Sequence, residues 1–328
     1  MVLIKKEKGA GGVMYYYVGK NMTDAQADRL IGSFVSPKQI DLILTHDANV
    51  YDASGQLLLL FRKAQLPAKA TTAFYDAVIR YASSQNSSNR SYASGHNQAR
   101  SMANRRKKRP LSRKINIAYN PRVNSNLIGF FDKIPIFYSH MLKSRGVVPK
   151  YQVRETAFNI QHPEKYKQCI PLIRDINRLY RSMVPKKYAA QAKKAAQIPS
   201  NLKISGTVFT TATINVNYRT GIHKDRGDDI AGFGNLAVIE RGKYTGGETC
   251  FPQYGVGVDV RTGDILFMNV HEYHGNLPMQ MMTPDAKRLS IVCYLRENIW
   301  TETRGVSTAA IERHLATLRT VIKKGVKK

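Results

Sequence analysis

The chain has 328 residues, 51 of them Lys or Arg against 23 acids, which gives a formal net charge of +28; 43% of its residues are apolar and 9% aromatic. This composition suits one large globular domain or two and excludes wholesale disorder. No apolar run approaches the ~20 residues that cross a bilayer, and the charged start MVLIKKEKGAGG lacks the apolar stretch of a signal peptide, so neither a membrane segment nor secretion is expected.

Residues 1–83 read as an N-terminal module. Within it QIDLILTHDANVYD and QLLLLFRKAQLP read as two strands around an Ala53-Ser54-Gly55 turn. Residues 84–114 are rich in Ser, Asn and Arg and read as a basic arm. Between Asp76 and Asp132 there is no acidic residue, while eleven Lys and Arg side chains occur, five of them contiguous at Arg105, Arg106, Lys107, Lys108 and Arg109. Such a stretch releases counterions when it lies along phosphates, so nucleic acid is the expected partner, contacted through its backbone. A membrane surface would call for an amphipathic helix with large apolar residues, and this segment has few.

Residues 115–305 carry the chemistry. The stretch 162–197 has a helical period that Pro185 divides into two helices. After Pro199 the character changes to short strands between Gly-rich turns: TATINVNY, NLAVIE, VGVDV, DILFMNV and LSIVCYLR, the pattern of a sandwich or barrel. Residues 306–328 should form a helix from Ser307, with Ile311, Leu315, Leu318 and Ile322 on one face, running into a basic tail. The cysteines, Cys169, Cys250 and Cys293, are far apart without CxxC spacing and fit a reduced intracellular chain.

His223 and Asp225 follow the strand TINVNY. At i, i+2 on an extended backbone their side chains project to one side, where an imidazole and a carboxylate can share a metal ion. A facial triad for non-haem Fe(II) needs a second histidine, and His271 and His274 both follow the strand DILFMNV. Asp228 and Asp229 read as a solvated turn or as supporting groups rather than ligands. On the next strand stands Arg288, whose planar guanidinium suits a carboxylate.

His-x-Asp, then Gly-Asp and an apolar strand ending in His-Gly, then an Arg on the last strand resembles the Fe(II)/2-oxoglutarate dioxygenases. The stretch GKYTGGETCFPQYGVGVDVRTGDILFMNVHEYHGN is similar to the TET/JBP branch, as are VNSNLIGFFD and RETAFN upstream, so the resemblance covers roughly residues 120–300. Three scattered cysteines cannot build the zinc region of vertebrate members, which places the chain nearer the compact phage, viral or algal type. The resemblance implies an α+β fold: a double-stranded β-helix (jelly-roll or cupin-like) core braced by helices, with an N-terminal β-containing extension and a basic arm. It implies Fe(II) on His223, Asp225 and His274, with 2-oxoglutarate gripped by Arg288; ascorbate is the alternative cosubstrate, used by the algal enzyme. O2 is the co-reactant, and the expected reaction is hydroxylation of the 5-methyl group of 5-methylcytosine or thymine in DNA. Arg154, Thr156, Asn159 and Asn235 are candidates for reading the base, and Tyr218, Phe233, Tyr244 and Tyr254 for stacking on it. The rivals are an RNA-directed oxygenase of the same superfamily and a catalytically inactive DNA-binding protein. An intracellular, phage- or virus-encoded enzyme acting in a host cell fits the compact basic type.

Overall fold

The computed structural model of the protein describes residues 1–84, 124–134 and 136–325. The basic run at 105–109 lies outside the described residues. Alternating apolar positions set the strands. The N-terminal ones are β1 (Val2–Lys8), β2 (Met14–Gly19), β3 (Leu42–Leu44), β4 (Ala48–Asp52) and β5 (Leu57–Arg62). Then come β6 (Asn124–Phe131), β7 (Arg154–Glu155), β8 (Thr211–Val216), β9 (Gly234–Arg241), β10 (Tyr244–Gly246), β11 (Thr249–Phe251) and β12 (Val256–Val258). Last are β13 (Ile265–Met268), β14 (Gly275–Asn276), β15 (Met279–Met281) and β16 (Lys287–Tyr294).

Ten strands form one sheet in the order β1-β2-β4-β5-β13-β9-β16-β8-β6-β7, and four form a second, β14-β11-β12-β3. The period-2 rule assigns the two faces of the large sheet. From β9 and β13, Leu236, Val238, Leu266 and Met268 meet Phe251, Val256 and Val258 of the small sheet. Their neighbours Ala237, Ile239, Ile265 and Phe267 face the other way, onto Phe74 and Val78 of the helix Ala68–Ser84 and Leu172, Ile176 and Tyr180 of the helix Pro163–Met183. The result is an α+β fold whose two opposed sheets make a double-stranded β-helix with helices on one side.

Residues 1–83 do not stand apart as a module. Their β5 pairs antiparallel with β13, Arg62 opposite Ile265, and β3 pairs parallel with β12. Leu58, Leu59 and Phe61 are buried against Leu266, so the N-terminal strands share a core with β9, β12 and β13 rather than closing one of their own. As expected, Pro185 opens a second helix, Pro185–Ala195, directly after the first. The C-terminal helix Thr308–Gly325 buries Ile311, Leu315 and Leu318. All three cysteines are free and buried, and no described helix is long and apolar enough to cross a membrane.

Candidate metal centre

Polar side chains at alternate positions of β8 and β16 turn away from the helices into a cavity between the sheets. Ala212, Ile214 and Val216 pack on the helical side, while Thr213 and Asn215 line the cavity; on β16 Leu289 and Ile291 go one way, Arg288, Ser290 and Val292 the other. The cavity measures about 980 Å3 and ends at His223, Asp225 and His274.

Backbone pairing brings these three together although Asp225 and His274 are 49 positions apart. His223 and His274 form an antiparallel bridge, His223 N–H donating to the His274 carbonyl at 2.9 Å and His274 N–H to the His223 carbonyl at 3.0 Å. Asp225 N–H donates to the Val270 carbonyl at 2.9 Å. One ligand atom from each of the three lies within 4.8 Å of the others. His223 Nε2 is 3.6 Å from Asp225 Oδ1, and His274 Nε2 is 3.7 Å from Asp225 Oδ2.

The tautomers follow from the partners. His223 Nδ1 lies 2.7 Å from the Gly221 carbonyl and His274 Nδ1 lies 2.9 Å from the Glu272 carbonyl. A carbonyl only accepts, so each Nδ1 carries a proton and each Nε2 is the nitrogen turned towards a metal. Burial, with His223 alongside, lowers the His274 pKa to about 4, which leaves that imidazole unprotonated at neutral pH. Two imidazoles with their Nε2 atoms turned inward and a carboxylate facing one point are a donor set that fits Fe(II).

Arg288 is only 3% exposed, and burial holds its pKa below the ordinary guanidinium value. Among the described residues no carboxylate lies within ion-pair distance of it. A buried, unpaired charge costs several kcal/mol, so this position is built for an anion that arrives from outside the chain. Ser125 Oγ and Asn215 Oδ1, buried on the same cavity wall, have no hydrogen-bond partner among the described residues and can serve a ligand too. The residues therefore fit both the iron and a dicarboxylate such as 2-oxoglutarate.

Other expected site residues sort by where they point. Arg154 and Thr156 line the cavity, and of the aromatic candidates Tyr218 does; Asn159, Asn235, Phe233, Tyr244 and Tyr254 are not among its lining residues. Asn159 belongs to a helix start: its Oδ1 accepts from Gly129 N–H at 3.0 Å and from the Thr156 hydroxyl at 3.0 Å. Asn235 donates to the carbonyls of Phe233 and Cys293 at 2.7 and 3.1 Å, tying β9 to β16. Each of those two amides thus uses one atom to hold neighbouring structure, while Asn159 Nδ2 and Asn235 Oδ1 are buried without a hydrogen-bond partner among the described residues. His271 stands outside the cluster of three, its Nε2 3.3 Å from the Asp229 carbonyl. Asp228 and Asp229 are buried rather than solvated: Asp229 pairs with Lys194 at 2.8 Å, and Asp228 lines the cavity beside Arg296. The sequence reading missed Thr213, Asn215 and Ser290, although the polar-apolar alternation of TATINV signals two of them. It also missed the rim residues Tyr81, Phe131 and Tyr138.

A double-stranded β-helix with two histidines and a carboxylate at one end of a cavity, and a buried arginine on its wall, defines an oxygenase domain of the iron and 2-oxoglutarate class. Residues 142–297 match the model of the Tet_JBP family, the oxygenase domain of the 2OGFeDO superfamily. Thymine dioxygenase JBP1-B of Trypanosoma cruzi (strain CL Brener) is 32% identical over 174 residues, covering 52% of this chain and 19% of that protein. The bifunctional helicase and thymine dioxygenase JBP2 of Leishmania tarentolae is 34% identical over 152 residues, 46% of this chain and 13% of that protein. The chain thus spans a fifth or less of the length of these relatives. A solved structure of NgTET1 in complex with 5mC DNA matches with a TM-score of 0.50 at 12% identity, covering 89% of this chain and 99% of that one, and so shares the fold.

Proposed function

We propose that the chain is an Fe(II)/2-oxoglutarate-dependent dioxygenase that hydroxylates the 5-methyl group of a pyrimidine, thymine or 5-methylcytosine, in DNA. The observation that carries this reading is the convergence of His223, Asp225, His274 and the unpaired Arg288 on one cavity. The relatives named as thymine dioxygenases support a pyrimidine methyl as the target, and the charge of +28 supports a polyanionic partner inside a cell. With 2-oxoglutarate and O2, iron supplies an oxidant that turns a methyl C–H into C–OH while the cosubstrate leaves as succinate and CO2.

The chain's own residues do the rest. His223, Asp225 and His274 would hold the metal, their Nδ1–H groups fixed on backbone carbonyls so that neither ring can turn away. Arg288 would take the distal carboxylate of 2-oxoglutarate in two parallel hydrogen bonds. Leu236, Met268 and Val292 give the cavity apolar wall that keeps bulk water from the reacting carbon. A methyl inside a duplex cannot reach so recessed a site, so the target nucleotide must be flipped out or presented in a single strand. Tyr81, four residues before the basic segment, and Ser125, two residues after it, both line the cavity. The segment's ten Lys and Arg between residues 85 and 123, Arg105 to Arg109 among them, would lie on the DNA backbone.

The test is mass spectrometry of nucleosides from DNA containing both thymine and 5-methylcytosine, incubated with the protein, Fe(II), O2 and 2-oxoglutarate. A hydroxymethyl base is expected, absent with His223→Ala although that variant still binds DNA. No new base in DNA, with iron bound and 2-oxoglutarate or ascorbate present, would overturn the reading; product in RNA alone would move it to the RNA-directed rival.

A further inference from the structure

The lining of the cavity is graded. Its deep residues His223, His274, Arg288, Ser290, Thr213 and Asn215 are buried, whereas Tyr81, Leu127, Phe131, Lys133, Tyr138 and Arg154 are partly or fully exposed. The opening therefore lies where the helix Ala68–Ser84 and strands β6 and β7 meet. Arg154 sits on that rim in a fixed pose. Its Nε donates to the Lys133 carbonyl at 2.6 Å and its Nη1 to the Glu155 carbonyl at 3.3 Å. The guanidinium also lies 5.0 Å from the centre of the Phe131 ring.

Two arginines approach that ring, and their charges are met differently. Arg296, 5.1 Å from the ring centre, is paired with Asp132 at 2.8 Å and has Asp228 at 3.9 Å. Arg154 has no carboxylate within ion-pair distance among the described residues; Glu155 beside it is engaged by Arg319. A guanidinium has five N–H donors, and the two carbonyls take two of them. What remains is a pre-oriented cation at the entrance, with the exposed Lys133 next to it, and it is distinct from the deep Arg288. A neutral base would leave its charge unmet, whereas a phosphate would neutralise it through a paired, charge-assisted contact.

Resting on the DNA-hydroxylase reading above, we infer that Arg154 is the subsite for a backbone phosphate adjoining the flipped nucleotide, holding it at the rim while the base enters the cavity. Tyr81 and Tyr138 flank this position on the same wall. Because the side chain is already ordered by two carbonyls and a ring, little rotamer freedom is lost on binding. The contact is present before and during reaction alike, so it should act on KM rather than kcat.

The experiment uses a single-target oligonucleotide and two copies of it in which the phosphate 5′ or 3′ to the target base is a neutral methylphosphonate. For the wild type one of these neutral linkages should raise KM about tenfold with kcat nearly unchanged. Arg154→Gln should do the same to the parent oligonucleotide, Arg154→Lys should recover part of the loss, and combining the Gln variant with that linkage should add no more than about twofold. Because the methylphosphonate leaves the protein intact, it carries the test even if the Gln variant folds poorly. Fluorescence anisotropy with the iron-free protein should show the same pattern in affinity. If the wild type treats both neutral linkages like the parent, or if the two losses multiply, the phosphate assignment is wrong. An altered preference between thymine and 5-methylcytosine in Arg154→Gln, with no phosphate effect, would instead make Arg154 a base reader. Should no oligonucleotide be oxidised, the hydroxylase reading fails by itself, and the binding measurement still decides whether Arg154 meets a phosphate.

Discussion

Arg219 donates from Nη2 to the carbonyl of Val35 at 2.8 Å, which ties the N-terminal segment to the loop that delivers His223. Its Nε reaches the Asn276 carbonyl at 3.3 Å, two residues beyond His274, and its guanidinium stacks 4.2 Å from the centre of the Phe34 ring. One side chain thus spans both metal-loop strands and a segment that lies outside the family-matched residues 142–297. The backbone adds to this: Ile222 N–H donates to the Ser33 carbonyl at 2.7 Å and Gly32 N–H to the Ile222 carbonyl at 2.8 Å. Gly275 allows the close fit, since a Cβ there would stand 3.0 Å from Val35 Cγ2 and 3.2 Å from the Gly221 backbone.

Arg219→Ala should therefore loosen the loop without touching a ligand. Groups that orient metal ligands typically contribute about ten- to a hundredfold in affinity, and the lower end is expected here because the His223–His274 backbone bridge remains. Chelator competition against Fe(II) reads the affinity directly, and Arg219→Lys should restore little, since a lysine cannot bridge two carbonyls with a planar fork. Unchanged iron affinity in Arg219→Ala would show that the N-terminal segment packs on the centre without positioning it.

Arg288→Met makes a contrasting case. The buried guanidinium has no carboxylate partner among the described residues and only the Tyr244 hydroxyl beside it, so a methionine of similar length removes a larger cost than the contact it loses. The ligand-free variant should unfold at the same temperature as the wild type or higher. Thermal shift with a redox-silent divalent ion and 2-oxoglutarate should separate the two proteins. At a hundredfold excess over its Kd the cosubstrate stabilises the wild type by about 2.7 kcal/mol, and this increment should vanish in the variant. A variant that is destabilised alone but still stabilised by 2-oxoglutarate would assign Arg288 to structure.

How much of this site was legible depends on whether the signal was local. His223 and Asp225 share a side because two residues on an extended chain do so, and Thr213 and Asn215 were readable in the same way from TATINV. The pairing of β5 with β13 joins residues some two hundred positions apart, and no local pattern announces it. That is why residues 1–83 read as separate. Asn159 and Asn235 were harder to read for another reason: a polar side chain next to a functional segment is as well suited to hold backbone as to read a ligand, and each holds backbone with one amide atom. That Asp229 is a buried supporting group rather than a solvated turn was not readable locally, because its partner Lys194 comes from the helix Pro185–Ala195, far away in sequence.

The seating of the C-terminal helix should depend on pH. His314 Nε2 donates to the Val153 carbonyl at 2.8 Å, and its ring meets the edge of Tyr151 with centroids 5.4 Å apart. Burial lowers its pKa below the ordinary value of 6.5 despite the backbone hydrogen bond. Of the charged groups around it, Arg319 is engaged by Glu155 and Glu312, and Lys150 lies over Tyr151. A folded-state pKa below the unfolded one means that the unfolded chain takes the proton first. The stability is fully present above the unfolded value and is lost as pH falls towards the folded one. Urea midpoints measured from pH 7.5 downwards should fall below about pH 6.5, and His314→Gln should flatten part of that fall. An identical pH profile in the variant would remove His314 as a contributor.

The final prediction concerns the run Arg105, Arg106, Lys107, Lys108 and Arg109, which the sequence places between two cavity-lining anchors, Tyr81 and Ser125. If these side chains neutralise phosphates of a duplex, each adds about 0.9 to the slope of log affinity against log salt. Replacing all five by glutamine should lower the slope by as much as about 4.5, and weaken binding most at low salt. Because backbone contacts carry no base information, the preference between thymine and 5-methylcytosine targets should stay the same. Activity should fall through KM, and saturating DNA should restore it. Affinity titrations at several salt concentrations decide the matter: a slope that does not change would place the DNA on another surface, and a lost base preference would bring the arm into the recognition of the base itself.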